Sequence, residues 1–344
     1  MASTSPSAGS RLWQKERKGP ELLAFEDLSI SFPVGGGQVD VVSEVSLSID
    51  SGEFVGLVGE SGSGKSMTAL AAMRLLPAPG KVRSGRVLLD GTDLLELSSA
   101  AMREVRGARV AMIFQEPMTA LNPVFTIGFQ ICEALFTHRS LPKKAALQEA
   151  ERLLDLVAIP DPGDRLRDYP HQLSGGQRQR AMIAMALACE PEVLLADEPT
   201  TALDVTIQAQ ILELLDRLRR ELSLAVLLIT HDLSVVAETC DRVAVMYSGR
   251  IVEQAPVDRL FEAPAHPYTQ GLLAALPRLG EPVERGKLPS IPGQVPEAAE
   301  RPSGCAFHPR CDQALECCSV DSPSLHVLSP THHTYCFLYS DGGN

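Results

Sequence analysis

The alternation of apolar and polar positions along the chain predicts an α/β fold with strands of two kinds. LLAFEDLSISF and VSEVSLSID alternate as half-exposed strands do, and the glycine-rich PVGGG between them indicates a turn. FVGLVG, VLLAD and LAVLLIT are continuous apolar runs, which are typical of strands buried inside a fold. RVAMIFQ and RVLLDGTDL predict two more strands, and RVAVMYSGRIVEQA predicts a hairpin that turns at Ser248 and Gly249.

Helical spacing and local composition then divide the chain. KSMTALAAMRLL has helical spacing, and helical patterns predominate from Glu116 to about Ala188. After about Phe261, Pro, Gly, Cys and His become more frequent and long periodic segments end. We therefore predict a flexible N-terminal arm over residues 1–20, a main domain over 21–260 with a helical subdomain at about 116–180, and a small irregular extension over 261–344.

Composition and charge narrow the class of protein. The 344 residues are 44% hydrophobic and 22% charged, so a sizeable core is expected. The net charge of −12 argues against nucleic acid as a partner, because such binding needs an excess of Lys and Arg. No apolar run approaches the roughly 20 residues of a membrane-spanning helix, and the polar N-terminus lacks the apolar segment of a signal peptide. We therefore expect a cytoplasmic chain whose thiols stay reduced.

The segment GESGSGKS matches the phosphate-binding loop of nucleotide-binding proteins, with a predicted strand before it and a helix after it. Its glycines let backbone N–H groups turn towards phosphate oxygens, and the helix N-terminus adds positive potential. Lys65 is expected to reach the β- and γ-phosphates, and the Ser66 hydroxyl to ligate Mg²⁺. The candidate ATP-binding residues of the loop are Gly59, Glu60, Ser61, Gly62, Ser63, Gly64, Lys65 and Ser66.

A second candidate site follows the apolar run VLLAD. The run delivers Asp197 to the carboxyl end of a buried strand, where ligands bind in parallel α/β sheets. Asp197 is expected to hold Mg²⁺, and the adjacent Glu198 to orient or deprotonate the attacking water. Strand ends often carry acidic residues, so this pattern gains its weight from the phosphate loop elsewhere in the same chain.

A third motif, LSGGQ, begins at Leu173 and precedes a predicted helix, and together with the other motifs it indicates a known family. The phosphate loop, Gln115 in IFQEP, LSGGQ, LLADEP and His231 in LLITHD stand in the order found in ATP-binding-cassette ATPases. The chain resembles that family from about Leu22 to Pro256. The resemblance implies a phosphate-loop NTPase fold with a mixed sheet, an antiparallel β part and a helical subdomain.

The same resemblance implies roles for individual residues. Two ATPase domains of this family face head to tail, and each ATP lies between the phosphate loop of one and LSGGQ of the other. Gln115 would then sense Mg²⁺ and the attacking water, and His231 would act as a switch at the γ-phosphate. Phe32 is in the position of the aromatic residue that stacks on adenine, although a core aromatic residue remains the alternative. Contacts across the dimer would come from Ser174, Gly175, Gly176, Gln177 and Asp204.

Other segments resemble one group within the family, the ATPase subunits of bacterial oligopeptide and dipeptide importers, whose relatives import nickel. EPMTALNPVFTIGFQI resembles their surface for membrane subunits, RAMIAMALACEP resembles the D-type subunit, and HPYTQGLLAALP and IPGQVP resemble their C-terminal extension. This resemblance implies two permease subunits, a substrate-binding protein, and a peripheral location on the cytoplasmic face of the inner membrane. It favours an F-type protein as the ATPase partner, with a second copy of this chain as the alternative. Nickel or opine cargo, an exporter, and a soluble ATPase of the same family are the alternatives.

Five of the eight cysteines lie between Gly304 and the last residue. In peptide importers a similar spacing accompanies a [4Fe–4S] cluster in some members. By this resemblance Cys305, Cys311, Cys318 and Cys336 would be the ligands, with Cys317 as an additional residue. Four thiolates also suit zinc, and packed or free thiols are the third alternative. We take the nearby His308, His332 and His333 to be loop or surface residues.

Overall fold

The computed structural model describes residues 21–201, 203–276 and 290–340, and the predicted N-terminal arm lies outside this range. The described residues form two compact units. The first comprises 21–48, 55–95, 230–276 and 290–340, and the second comprises 49–54, 96–201 and 203–229. The first unit therefore contains both the phosphate loop and the C-terminal extension.

The first unit combines an antiparallel sheet, in the order β2-β1-β4-β5, with a series of strands in the order β11-β12-β10-β9-β3. Its strands are β1 (Glu21–Val34), β2 (Gly37–Asp50), β3 (Phe54–Val58), β4 (Lys81–Leu89), β5 (Thr92–Asp93), β9 (Arg242–Tyr247), β10 (Arg250–Pro256), β11 (His326–Ser329) and β12 (His332–Thr334). Its helices are α1 (Lys65–Ala72), α9 (Leu233–Thr239), α10 (Val257–Glu262) and α11 (Pro267–Ala274). The parallel pair β3 and β9 is fully buried except at Arg242.

The second unit has three parallel strands in the order β8-β7-β6, together with seven α-helices among its described residues. The strands are β6 (Val110–Ile113), β7 (Val193–Asp197) and β8 (Ala225–Thr230). The helices are α2 (Ser99–Val105), α3 (Pro117–Ala120), α4 (Ile127–Arg139), α5 (Lys143–Leu156), α6 (Pro162–Arg165), α7 (Gly175–Leu187) and α8 (Val205–Leu222). Every residue of the three strands is buried, as their unbroken apolar sequences predict.

Two predicted turns are confirmed. The turn between β1 and β2 falls at Gly35 and Gly36, which both have positive φ. The hairpin of β9 and β10 turns at Ser248 (φ 43°) and Gly249 (φ 82°). Two positive φ values in succession produce the tight turn that matches the twist of an antiparallel pair.

The C-terminal extension is irregular over most of its described length, but it is anchored to β10. Its short strand β12 pairs antiparallel with β10, with Thr334 opposite Glu253 and His333 opposite Gln254. Phe307 packs against Tyr247 and Tyr268, with ring centroids 5.2 and 5.3 Å away. Strand β10 and the extension therefore share a hydrophobic core.

The expectation that His332 and His333 lie on the surface is wrong. Both are in β12, where their exposed fractions are 4% and 1%. His332 Nε2 lies 2.7 Å from Oε1 of Glu253, which is itself fully buried. A buried carboxyl group needs hydrogen-bond partners, and the histidine from the extension supplies one of them. His308 is half-buried, and its Nδ1 lies 2.9 Å from the carbonyl oxygen of Cys305.

Within the part of the chain that the structure describes, no helix is both long and apolar enough to span a membrane.

Candidate functional site

The phosphate loop connects the end of β3 to the start of α1, as the sequence predicts. At two positions only glycine fits. Gly59 has φ of 156°, and a Cβ there would lie 2.1 Å from the carbonyl oxygen of Met246. Gly64 has φ of 103°, and a Cβ would lie 2.9 Å from the carbonyl oxygen of Val41. The loop backbone therefore lies directly against neighbouring backbone, a close approach that a side chain would prevent.

Lys65 is 5% exposed and turns back into the loop. Its Nζ donates hydrogen bonds to the carbonyl oxygens of Gly59 (2.7 Å) and Glu60 (2.9 Å) and to Oγ of Ser63 (3.3 Å). The ammonium group is thus held inside the ring of loop atoms. A phosphate group is a stronger partner for it than neutral carbonyl oxygens, because both groups are then charged.

In the second unit the structure brings Glu198 and Gln115 together. Glu198 Oε2 accepts hydrogen bonds from Nε2 of Gln115 (2.9 Å) and from Oγ1 of Thr201 (2.8 Å). Glu198 has φ of 45°, in the left-handed region that non-glycine residues rarely occupy. Asp197 is 6% exposed at the end of β7, immediately before this strained residue.

Thr201 is a site residue that sequence reasoning missed. It lies three residues after Glu198 in the same turn, and its backbone N–H donates to the carbonyl oxygen of Glu198 at 3.2 Å. Glu198 is therefore held by both the backbone and the side chain of Thr201. A Thr three residues after an acidic residue is typical of many turns, so the sequence carried no signal specific to this contact.

The LSGGQ motif begins helix α7 with reciprocal capping. Ser174 Oγ accepts a hydrogen bond from the Gln177 N–H at 3.3 Å, and Gln177 Oε1 accepts one from the Ser174 N–H at 2.9 Å. A Cβ at Gly176 would lie 2.9 Å from the side chain of Ile207 in α8. Asp204 caps α8 by accepting a hydrogen bond from the Ile207 N–H at 3.0 Å. The starts of the two helices therefore lie together, and so do LSGGQ and Asp204.

Two further candidates belong to the first unit. Phe32 is half-buried near the end of β1, where its ring covers Gly80, since a Cβ at Gly80 would lie 2.3 Å from the ring. His231 follows directly after β8 and is exposed. The next residue, Asp232, caps α9 by accepting a hydrogen bond from the Ser234 N–H at 2.9 Å.

The four cysteines predicted as ligands lie near one another. Burial, followed by the proximity of the other three thiols, raises the pKa of Cys336 to about 11. Burial also raises the pKa of Cys305, and Cys318 and Cys311 add to the effect. Among the described residues, however, no group of three or more Cys, His, Asp or Glu side chains is arranged tightly enough to hold a metal ion. The thiols therefore lie near enough to influence one another's ionisation, but the described residues do not hold three of them close enough for one metal ion.

The local geometry and the order of these motifs define an ATPase of the ATP-binding-cassette class. Comparison with protein families agrees. The family described as "ABC transporter" matches residues 42–201, and "Oligopeptide/dipeptide transporter, C-terminal region" matches residues 252–318. The chain belongs to the ABC transporter ATPases, in the group that carries this C-terminal region.

Individual relatives extend the similarity along the chain. The dipeptide transport ATP-binding protein DppD of Escherichia coli (strain K12) is 50% identical over 92% of this chain and 96% of its own length. DppD of Bacillus subtilis (strain 168) is also 50% identical, over 92% of this chain and 95% of its own. The predicted family and the predicted ATPase activity, with ATP and Mg²⁺ as cofactors, are confirmed.

A solved structure supports the predicted fold. The ATP-binding cassette MJ0796, in a dimeric post-hydrolysis state bound to ADP and Pi, has a TM-score of 0.62 and 28% sequence identity to this chain. The similarity covers 68% of this chain and 98% of that one. The predicted α/β cassette fold is confirmed.

Proposed function

We propose that this protein is the ATP-hydrolysing subunit that energises import of dipeptides or oligopeptides through a membrane complex. The observation that carries this proposal is the similarity to DppD proteins over nine-tenths of the chain, including the C-terminal extension. An exporter or a soluble ATPase of the same class would share the cassette but would have no need of that extension.

At the level of residues, we propose that the phosphate loop binds ATP and that Lys65 turns from the loop carbonyl oxygens to the β- and γ-phosphates. Ser66, Asp197 and Gln115 would hold Mg²⁺, which neutralises charge that develops on the phosphates. Glu198 would accept a proton from the attacking water or orient it. Its hydrogen bonds to Gln115 and Thr201 support this role, because they fix the carboxylate in one orientation.

The remaining candidates would act around the nucleotide. His231 would contact the γ-phosphate, and Phe32 would stack on adenine. We propose that Ser174, Gly175, Gly176, Gln177 and Asp204 contact ATP bound to a second ATPase subunit in a head-to-tail dimer. The capped, exposed N-terminus of α7 is suited to this role, since its N–H groups and helix dipole attract anions. By resemblance, the second subunit would be a distinct F-type protein.

A surface of the second unit supports docking to permease subunits. Gln130 is buried and ties down the loop before α4, with Nε2 donating to the carbonyl oxygens of Asn122 and Phe125 at 3.0 Å each. Exposed apolar side chains are frequent in the sequence on both sides of this loop. The rings of Phe125 and Phe129 stack with their centroids 4.6 Å apart. The exposed set is Phe114, Met118, Val124, Phe125, Phe129 and Phe136. Binding there would hold the protein on the cytoplasmic face of the inner membrane.

Co-purification followed by transport assays tests this function. The full-length chain is isolated in mild detergent, and the co-purifying permeases, F-type ATPase and binding protein are identified and reconstituted in vesicles. We expect dipeptides or oligopeptides to stimulate ATP hydrolysis and to accumulate inside the vesicles. If nickel or an opine stimulates ATP hydrolysis and peptides do not, that compound is the cargo instead of a peptide. If no permeases co-purify, the importer proposal is overturned.

We also propose that Cys305, Cys311, Cys318 and Cys336 bind a [4Fe–4S] cluster. The thiols are near enough to raise one another's pKa values, which supports this, and binding a cluster would require them to release protons and to move closer together. Protein purified without oxygen should be brown and contain iron and sulfide. Cys318→Ser should lose the iron, whereas the control Cys317→Ser should keep it. Colourless protein with stoichiometric zinc would decide for zinc, and metal-free protein would decide for packed thiols.

A further inference from the structure

A buried arginine of the C-terminal extension forms a bidentate ion pair with the phosphate loop. Arg310 Nη1 lies 2.8 Å from Oε2 of Glu60, and Nη2 lies 3.1 Å from Oε1. The Arg310 side chain is 5% exposed, and that of Glu60 is 32% exposed. Two parallel charge-assisted hydrogen bonds with a mostly buried guanidinium fix orientation as well as distance. Glu60 is the first residue after Gly59, which opens the loop.

A second residue from the same part of the chain contacts Glu60 through its backbone. The Tyr268 hydroxyl oxygen accepts a hydrogen bond from the Glu60 N–H at 2.9 Å. Tyr268 is fully buried, and its ring packs edge-on against Tyr247 with centroids 4.7 Å apart. A rigid aromatic core therefore holds the hydroxyl group in place. Glu60 is thus bound at both its side chain and its main chain by residues C-terminal to the cassette motifs.

Arg310 is itself held by the extension. Its Nε donates to the carbonyl oxygen of Pro292 at 2.8 Å, and its guanidinium lies over the ring of Tyr247 at 5.8 Å. Burial lowers the pKa of Arg310, but the hydrogen bonds and charge of Glu60 more than offset this, so the pKa is raised overall. The guanidinium is charged at every physiological pH. This pair therefore differs from mobile surface ion pairs, which contribute little.

The contacts on Glu60 bear on nucleotide binding, because Lys65 of the phosphate loop also binds Glu60, through its carbonyl oxygen. Lys65 Nζ donates to the Glu60 carbonyl oxygen in this structure, and it has to leave that oxygen to reach a phosphate. Once Lys65 has turned, the Ser63 N–H still donates to the Glu60 carbonyl oxygen at 3.2 Å, while Tyr268 and Arg310 tie Glu60 to residues outside the loop. A binding loop that keeps its shape without the ligand loses less conformational entropy on binding, and its affinity is higher.

We propose that Arg310 and Tyr268 are positioning residues for ATP, so that the C-terminal extension forms part of the nucleotide site. They act through Glu60 on the shape of the phosphate loop and do not touch the reacting atoms. This proposal concerns ATP affinity, which is independent of the cargo and of any metal bound by the cysteines.

A double-mutant cycle on the full-length chain tests the proposal. Arg310→Gln, Glu60→Gln and the double variant are compared for the Kd of MgATP by calorimetry, and for KM and kcat in the assembled complex. Each single variant should raise Kd and KM about tenfold, which corresponds to roughly 1.4 kcal/mol, with kcat changed less than about twofold. The double variant should be no weaker than the weaker single, because both substitutions break the same contact.

Arg259→Gln is the matched control. Arg259 is exposed and pairs with Glu262 at 3.4 Å within α10, away from the loop contacts described above. It should leave Kd unchanged. Tyr268→Phe keeps the ring and removes only the hydroxyl group, so it provides a second variant should Arg310→Gln fail to fold; it too should raise Kd. Unchanged Kd in both Glu60→Gln and Tyr268→Phe, or additive effects in the cycle, would overturn the proposal.

Discussion

Among single residues, Glu198 combines a strained backbone with a carboxylate that is the candidate general base. A non-glycine residue at φ of 45° costs on the order of 1 kcal/mol and persists only where surrounding contacts fix it. The Glu198 N–H donates to the carbonyl oxygen of Ile229 at 2.9 Å, and two side chains hold its carboxylate. The strained backbone therefore aims a general-base candidate in a fixed direction.

Replacing Glu198 by Gln should retain ATP binding and lower turnover in the assembled complex by about 10²–10⁴-fold, the usual contribution of a general base. Gln has nearly the same shape but cannot accept the proton. The measurements are kcat and the Kd of MgATP. Glu190→Gln is the control, because Glu190 is an exposed glutamate of the same unit that also has positive φ, 53°. Comparable turnover in the Glu198 and Glu190 variants would remove Glu198 from this role.

The buried His266 makes the stability of the fold depend on pH. Burial lowers the pKa of His266 from 6.5 to about 4, and its neutral Nδ1 accepts a hydrogen bond from the Tyr268 N–H at 3.1 Å. The folded protein therefore binds fewer protons here than the unfolded chain. The stability from this residue is complete above about pH 6.5 and is lost as pH falls towards 4, with a slope of at most about 1.4 kcal/mol per pH unit.

His266→Asn keeps a side-chain acceptor at the helix N-terminus but does not titrate. Its free energy of unfolding should therefore fall less steeply than that of the natural protein between pH 6.5 and 4. Denaturant unfolding at several pH values measures this difference. His171→Asn, at an exposed position, should leave the slope unchanged. Parallel pH profiles for His266→Asn and the natural protein would contradict the assignment.

The sequence predicted the motif residues because each motif is short and contiguous. It could not predict Arg310 as a neighbour of the phosphate loop, because HPRCD is indistinguishable from an exposed basic loop. The contact depends on where Phe307 and Tyr268 pack, and therefore on tertiary structure. The burial of His332 could not be predicted for the same reason, since it follows from a carboxyl group far away in the sequence.

At the scale of elements, Glu253 in β10 connects three segments. Its carboxyl oxygens accept hydrogen bonds from the N–H groups of Ala265 (2.7 Å) and His266 (2.9 Å), and one also lies against His332 in β12. One buried side chain thereby joins β10, the start of α11 and the last strand of the extension. Removing the Glu253 carboxyl group would leave its buried hydrogen-bond partners unsatisfied. The cost of those unsatisfied groups is the main way in which Glu253 stabilises these contacts.

Glu253→Ala should lower the free energy of unfolding by about 3–5 kcal/mol, because it leaves buried donors without an acceptor. Urea unfolding measures this loss. Glu262→Ala, which breaks an exposed pair with Arg259, should cost no more than about 1 kcal/mol. A loss of similar size in the two variants would show that the buried network does not hold the extension.

Strands and turns of the cassette were predictable because their patterns are local. The paired glycines between β1 and β2, and Ser248 with Gly249, mark turns whatever lies around them. Strand β12 has three residues, His332–Thr334, and too short a pattern to indicate a strand. Its pairing depends on β10, nearly eighty residues earlier in the chain. Long-range pairing of this kind is not written in the local sequence.

At the scale of the whole molecule, the proposed dimer separates binding from hydrolysis. Each subunit would bind ATP on its own phosphate loop but hydrolyse it only against LSGGQ of the partner. Ser174, exposed at the start of α7, is the residue whose replacement distinguishes the two steps.

Ser174→Arg should lower ATP hydrolysis by the assembled complex about 10²-fold or more, because it places a bulky side chain where the opposite nucleotide would be stabilised. The calorimetric Kd of the isolated full-length chain should change far less. Ser98→Arg is the control, since Ser98 is also an exposed serine that caps a helix of the second unit, α2. Equal losses of hydrolysis in both variants would indicate damaged helix caps, and would contradict the dimer contact.

The ion pair between Arg310 and Glu60 also has a consequence for synthesis. The two residues are 250 positions apart, so the ribosome completes every cassette motif long before it adds the arginine. If the extension shapes the phosphate loop, a nascent or prematurely terminated cassette binds ATP weakly. Full nucleotide affinity is then acquired only in the last stage of translation, and incomplete chains are poor competitors for places in the transport complex.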